Sequence, residues 1–339
     1  MPVQPGSSPQ TSPSPAPAKS SALGRLSSRI PWAYAARRVL AAIPTMLAII
    51  TVAFFMIRAA PGNPWSTDRK LPPEVEANLK ASMGLDKPIH EQYFDYLGKV
   101  VTGDLGPSLK NKDKSVSELI AEGLPVSATI GALAISIALI VGVGLGIIAA
   151  MRQNSMADYG AMGVAMVGIS IPTFVTGPML SLVFGLWLNW FAVAGLDLGR
   201  MNVSNLTLPV ITLALPQIAI ISRLMRASMI ETLRSNHIRT ARAKGLSERR
   251  IMLRHALPSA ILPVVSYLGP AIVGVITGSV VVERVFGLPG VGQSFIDGAM
   301  TRDYTRVMGT VILYGGLIII FNLIADILYA IFDPKVRYE

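Results

Sequence analysis

Six runs of predominantly apolar residues constrain this chain more than any other feature. They lie at about Val39–Ile57, Val126–Ala150, Gly160–Leu188, Leu206–Ile221, Ile261–Val282 and Val307–Phe332. Each is near or above the roughly 20 residues that a helix needs to cross the hydrocarbon core of a bilayer. Within lipid every backbone N–H and C=O must be satisfied inside the protein, so runs of this length read as helices. Composition agrees: 51% of the 339 residues are hydrophobic and only 15% charged, against about a quarter charged in a soluble domain. The expected fold is an all-α integral membrane protein with six transmembrane helices. The fourth run is the shortest, and its helix is expected to extend into the basic segment that follows.

The organisation follows from what lies between the runs. Residues 1–30 are rich in Pro, Ser and Ala, cannot bury enough apolar area to offset ordering, and read as a disordered tail. Residues 31–125 hold the first helix and a long connection; residues 126–332 form a five-helix core with a basic loop at 223–259; residues 333–339 are a short tail. A cleaved signal peptide is the competing reading of the first run, but the run is too long for an h-region and "RAAPGNP" is a poor cleavage site. The long connection contains two stretches of helical composition, "PPEVEANLKASMG" and "HEQYFDYLGKVV", separated by "LDKP". They predict short amphipathic helices touching the span ends or a partner.

Charge sets the expected orientation. The tail before Val39 carries five Lys/Arg and no acid, the segment from Ser222 to Ser259 nine against two, and the connection from Arg58 to Leu124 nine against ten. The positive-inside rule then places both termini and the Ser222–Ser259 segment in the cytoplasm and the long connection outside. The net charge of +10 is thereby explained by cytoplasmic loops, without nucleic acid. Prolines at 172, 178, 209, 216, 263 and 270 predict kinked helices. Trp187, Trp190 and Phe191 close the third run as an interfacial belt would. Gly142, Gly144 and Gly146, and Gly274 and Gly278, predict close helix packing.

Few residues suggest chemistry. There is no cysteine, and His90, His237 and His255 lack ligand spacing, so a metal site is not expected. "GLPGVGQS", from Gly287 to Ser294, has the glycine spacing of a phosphate loop, but Gln293 stands where the essential Lys would be. It reads instead as a turn capping the outer mouth, with Gly287, Pro289, Gly290 and Gly292 shaping a gate loop. Asp326 is an acid well inside an apolar run. Intramembrane acids are functional candidates by default, but a bond to Asn322 or to a neighbouring helix is the simpler expectation. Glu283 and Arg284 are expected to pair with loop groups. No grouping suggests a membrane enzyme.

The segment "RTARAKGLSERRIMLRHALP", Arg239–Pro258, is built as helix, turn and helix. The fourth helix is expected to continue through Lys244 and end at Gly245, a residue able to take positive φ. Arg242 and Lys244 then complement the dipole. Ser247 is the expected N-cap of a second helix, with Glu248 in its first turn and Pro258 at its end. Here the chain resembles the permease subunits of bacterial ABC importers, whose cytoplasmic loop reads E-A-A-x3-G-x9-I-x-L-P. Ala241, Gly245, Leu257 and Pro258 match with both spacings intact, while Arg239, Thr240 and His255 depart as is usual in the oligopeptide/dipeptide branch. "GLDKPIHEQYFDYL", "GDLGPSL", "VFGLPGVGQ", "RDYTRVMG" and "NLIADILYAIFDPKVR" resemble the same branch, over about Trp32–Arg337.

The resemblance implies a type I importer permease (MetI-like) fold with an extracytoplasmic helical insertion between helices 1 and 2, in a bacterial inner membrane. It implies that Arg239, Thr240, Ala241, Ala243, Lys244, Gly245, Leu246, Ser247, Leu257 and Pro258 couple the chain to a cytoplasmic ATPase. It further implies a second permease subunit, usually a different chain, two ATPases that bind ATP and Mg, and an external solute-binding protein. The chain itself would bind no cofactor and catalyse no reaction. Solutes would be peptides or similar small molecules, since the branch also handles nickel chelates and glutathione. The rival readings are an ion-coupled secondary transporter, which needs ionisable groups at mid-membrane and usually internal repeats, and a membrane scaffold.

Overall fold

A computed structural model describes residues 32–59, 72–82, 84–111, 113–193 and 203–332; the tails expected at 1–30 and 333–339 fall outside them. Among the described residues the regular structure is all helical, joined by short turns and loops and one isolated bridge between Pro107 and Ser115. The order is α1 (Trp32–Ala59), α2 (Pro73–Ser82), α3 (Ile89–Val101), α4 (Val116–Met151), α5 (Met156–Ser170) and α6 (Thr173–Leu180), the last running into a π-helical turn at Ser181–Trp187. There follow α7 (Val203–Leu233), α8 (Asn236–Ala243), α9 (Glu248–Ile251), a π-helical turn at Met252–Ala256, α10 (Leu257–Ala260), α11 (Leu262–Phe286), α12 (Val291–Thr301) and α13 (Tyr304–Phe332).

Among the described residues, five helices are long and apolar enough to span: within α1, α4, α7, α11 and α13. The third expected span is not one rod. α5 and α6 are bent by 107°, because Pro172 lacks an N–H and forces Ile171 into extended backbone at φ −105°, ψ 121°. With 15 residues, α5 is only about 22 Å long, short of the roughly 30 Å core. Trp187 and Trp190 at the end of this broken span are exposed, as a belt would be, whereas Phe191 packs into the core.

α4 and α7 form the centre. α4 starts with a capping box, Ser115 accepting from the Glu118 N–H and Glu118 accepting from the Ser115 N–H. Two glycines bring the helices together: a Cβ on Gly142 would lie 2.8 Å from Ile221, and one on Gly146 2.6 Å from Met225. Gly144, two residues from either, faces open space, so the expected stripe consists of the i, i+4 pair alone. The main core runs along this seam through Ile130, Ala134, Ala138, Ile221, Met225 and Met229.

The ends of the bundle differ. α3 lies across the C-terminal half of α1 and the start of α13, burying Phe54 and Met308 against Tyr93, Tyr96 and Leu97. The Thr51 and Tyr93 hydroxyls are 2.7 Å apart. Of the two expected amphipathic helices, α3 therefore touches span ends. At the other end α7, 31 residues long and so about 46 Å, outruns the hydrocarbon core and leads into the basic segment.

Candidate functional site

The basic segment is more broken than its composition suggests. α7 stops at Leu233, a turn passes Arg234, and Ser235 in extended backbone opens α8 as a separate helix. The expected continuous helix is thus two, since Ser235 donates its hydroxyl back to the Thr232 carbonyl at 2.6 Å and competes with the helical ladder. Ile238 and Ala241 are buried on one face of α8, while Arg239, Thr240, Ala243 and Lys244 are exposed on the other. Ala241 is therefore packed against the bundle and not on the exposed face of α8.

Gly245 ends α8 at φ +74°, in the left-handed region that favours glycine. The Gly245 N–H donates to Arg242 O at 2.9 Å and the Leu246 N–H to Ala241 O at 3.4 Å, the paired bonds of a Schellman motif. Leu246 packs against the core that contains Ala241, which supplies the motif's apolar contact. Ser247 occupies the N-cap position of α9, but its side chain caps no N–H. The helix is held instead by Glu248, whose carboxylate accepts from Arg242 at 2.8 and 3.2 Å.

This ion pair across the glycine was not foreseen from sequence. The hydrogen bond from Arg242 holds the Glu248 carboxyl below its usual value, so the pair is intact at neutral pH and lost only as pH falls through that lowered value. Both side chains are largely exposed, so its contribution is small and screened. Pro258 does not end the helix. The preceding turn widens to π geometry, the Leu257 N–H reaching back to Met252 O, and this makes room for the proline ring. Leu257 packs against the core, whereas Pro258 and His255 are exposed.

At the opposite end the glycine loop has a definite task. Gly287 takes positive φ, +60°, to end α11. Gly290 and Gly292 do not need positive φ; a Cβ on Gly290 would collide with the Glu283 carboxylate, and one on Gly292 would lie 2.5 Å from the Val280 Cα and 2.8 Å from Glu283 Oε2. Glu283 is fully buried. It accepts from Ser127 Oγ at 2.7 Å, Gly292 N at 2.7 Å and Gln293 N at 3.2 Å. The Ser127 hydroxyl in turn accepts from Val291 N at 2.9 Å. The N–H groups that a phosphate loop would offer its ligand are thus spent on the protein's own carboxylate at the start of α12. Arg284 pairs with Asp297 at 3.2 Å.

Two motifs almost 200 residues apart also meet here. Ser108 of "GDLGPSL" donates to the fully buried Asp303 of "RDYTRVMG", and Thr305 Oγ1 lies 2.7 Å from Pro107 O. Beneath the loop, α4, α11 and α13 enclose a cavity of about 470 Å³. It is uncharged and mostly apolar, with hydroxyls from Ser127, Ser136, Ser279 and Tyr314. A second, more polar cavity of about 740 Å³ contains Asn322 and Asp326. Asp326 pairs with Arg38 of α1 at 3.1 Å, a neighbouring-helix partner.

A bundle of spanning helices with a broken third span, a capped basic elbow at one end and a pinned glycine loop at the other is the build of a membrane transport component. The comparisons make that specific. Residues 142–338 match the model of the binding-protein-dependent transport system inner membrane component, and residues 32–131 match its N-terminal companion. The chain belongs to this family. It is 53% identical to the oligopeptide transport system permease protein OppB of Escherichia coli K12 over 302 residues, 89% of this chain and 98% of that one. It is 40% identical to the dipeptide transport system permease protein DppB of Bacillus subtilis, over 90% of this chain and 97% of that one. A chain of the MetNI methionine ABC transporter, solved in inward-facing conformations, shares the fold at a TM-score of 0.53 and 16% identity, covering 63% of this chain and 96% of that chain.

Proposed function

We propose that this chain is the permease subunit of an ATP-driven peptide importer, forming half of a translocation pathway by alternating access. It pairs with a second permease, takes solute from an external binding protein and is driven by two ATPases that hold ATP and Mg; it catalyses no reaction itself. Peptides are the solute class that the names of its relatives indicate. The N-terminus, α8–α10 and the C-terminus face the cytoplasm, and α2, α3 and α12 face outward. Residues 126–332 act as the pathway core, residues 31–125 as a first helix with an outer insertion.

The observation that carries the mechanism is the elbow at α8. Its outward face presents Arg239, Thr240, Ala243 and Lys244, its inward face is locked by Ile238 and Ala241, and its end is closed by the Gly245 motif. Gly245, Leu246, Ser247 and the Leu257–Pro258 return fix the angle at which the surface is presented. A stiff, anchored helix passes displacement to the bundle, so a partner with two states biases a gate with two states. The loop of Gly287, Pro289, Gly290 and Gly292 serves as the outer gate, above the uncharged cavity. Asp326, through Arg38, serves to seat α1 against α13, while Asn322 lies beside Gly269 of α11.

The test is purification from the native membrane. The wild-type chain is expected to bring an ATPase with it, and a Gly245→Pro variant that still inserts is expected to lose it. Full retention of the ATPase and of transport in that variant would remove the docking role.

A further inference from the structure

The geometry points to Asp158 and Arg226 as positioning residues that make the α4–α5 hairpin move with α7 when the α8 elbow is displaced; this rests on the docking role proposed for α8. Asp158 lies in the first turn of α5 and is 1% exposed. Arg226 lies on α7, about two turns before its last residue, Leu233. The guanidinium meets the carboxylate as a fork, Nε to Oδ1 at 2.6 Å and Nη2 to Oδ2 at 2.6 Å. Asp158 Oδ2 also accepts from the N–H of Asn154, at 2.9 Å, in the turn between α4 and α5. One carboxylate therefore joins α5, the turn before it and α7.

Other contacts make this a junction of three helices. A Cβ on Gly146 of α4 would fall 2.7 Å from Ser222 O and 3.0 Å from Arg226 N, so α4 and α7 touch at the same level. One turn before α8, Arg234 Nη2 donates to Gln153 Oε1 at 3.0 Å, a second tie to the same turn. The second arm of the hairpin, α5, is itself the first half of the span broken at Pro172, the element of the bundle least able to act as a rigid rod. A push on α8 thus reaches the end of α7, crosses to the α4–α5 turn and arrives at the broken span.

Stability alone does not call for an ion pair here. Apolar residues of matching shape often serve a buried position as well as a charge pair does, and here Asp158 is buried while the Arg226 side chain stays 28% exposed, which weakens the attraction further. What the fork adds is direction: a planar guanidinium on a carboxylate fixes rotation as well as distance. Lysine keeps the charge and loses the fork, which separates the two contributions.

The test uses the assembled transporter, with both permeases and both ATPases in proteoliposomes, and the binding protein purified with its natural load. Arg226→Lys and Asp158→Asn are compared with wild type for ATPase co-purification, basal ATP hydrolysis and stimulation of hydrolysis by the loaded binding protein. Both variants are expected to retain the ATPase and basal hydrolysis, and to lose stimulation by about two- to thirtyfold, the span seen for mutations along coupling networks. Arg226→Lys should be the milder. Unchanged stimulation in Arg226→Lys and Asp158→Asn overturns the proposal, as does a parallel fall in assembly, basal and stimulated activity in both, which marks a structural pair only. Failure of the docking role shows separately, as an ATPase that stays bound to Gly245→Pro.

Discussion

Gly142 and Gly146 sit one turn apart on α4, and each occupies space that a methyl group would need. At Gly146 the obstacles include backbone, Ser222 O at 2.7 Å and Arg226 N at 3.0 Å, which cannot rotate away as a side chain can. Gly146→Leu is therefore expected to push α4 from α7 and to destabilise the protein by about 1–3 kcal/mol, the usual cost of overpacking. Gly144→Leu, on the open face, is expected to change stability little. Thermal unfolding in detergent distinguishes the two. The spacing of these glycines was legible in the sequence, but which pair faced a neighbour was not. Spacing gives the face of a helix, and only the packed partner decides which face is used. Ala241 is a similar case: its motif position was clear, while its burial under α8 depended on where α8 rests.

At the scale of the element, Glu283 makes the loop before α12 a pinned structure. Its carboxylate takes two loop N–H groups and one hydroxyl, and the side chain is buried with them. Glu283→Gln retains an acceptor but removes the charge that favours the helix start, an effect of about 1 kcal/mol. Amide exchange in residues 291–294 is expected to speed up in this variant, while exchange in α4 beyond Gly131 stays as in wild type. Equal exchange in both proteins would show that the glycines alone hold the loop. The sequence pointed to local pairing for Glu283 and to flexible glycines beside it. It did not reveal that two of those glycines serve the carboxylate. Likewise, α7 and α8 looked like one helix, because their composition is continuous and the Ser235 break comes from a local hydrogen bond that competes with the ladder.

For the whole molecule, orientation is the prediction that can be checked most directly, because the chain has no cysteine and any introduced thiol is unique. Cysteine at Lys244 is expected to react with an impermeant maleimide only after the cells are opened. Cysteine at Lys99, on α3, is expected to react in intact spheroplasts. The reverse pattern would invert the topology. Both positions are exposed in the isolated chain, so labelling of the chain expressed without its ATPase reports sidedness and not burial.

Length, apolar patterning and charge asymmetry determined the class by themselves: helices that span, in near the expected number, with a basic elbow whose spacing marks the family. These follow from the chain's need to satisfy its own backbone in lipid and to keep its cations in water, which are local demands that any sequence displays. The tertiary structure decided the rest: the Asp158–Arg226 fork, the Arg242–Glu248 link and the meeting of Ser108 with Asp303. Each joins groups whose chemistry is ordinary until a partner six to almost 200 positions away is brought within about 3 Å. That proximity comes from packing, and packing is not written in any single segment.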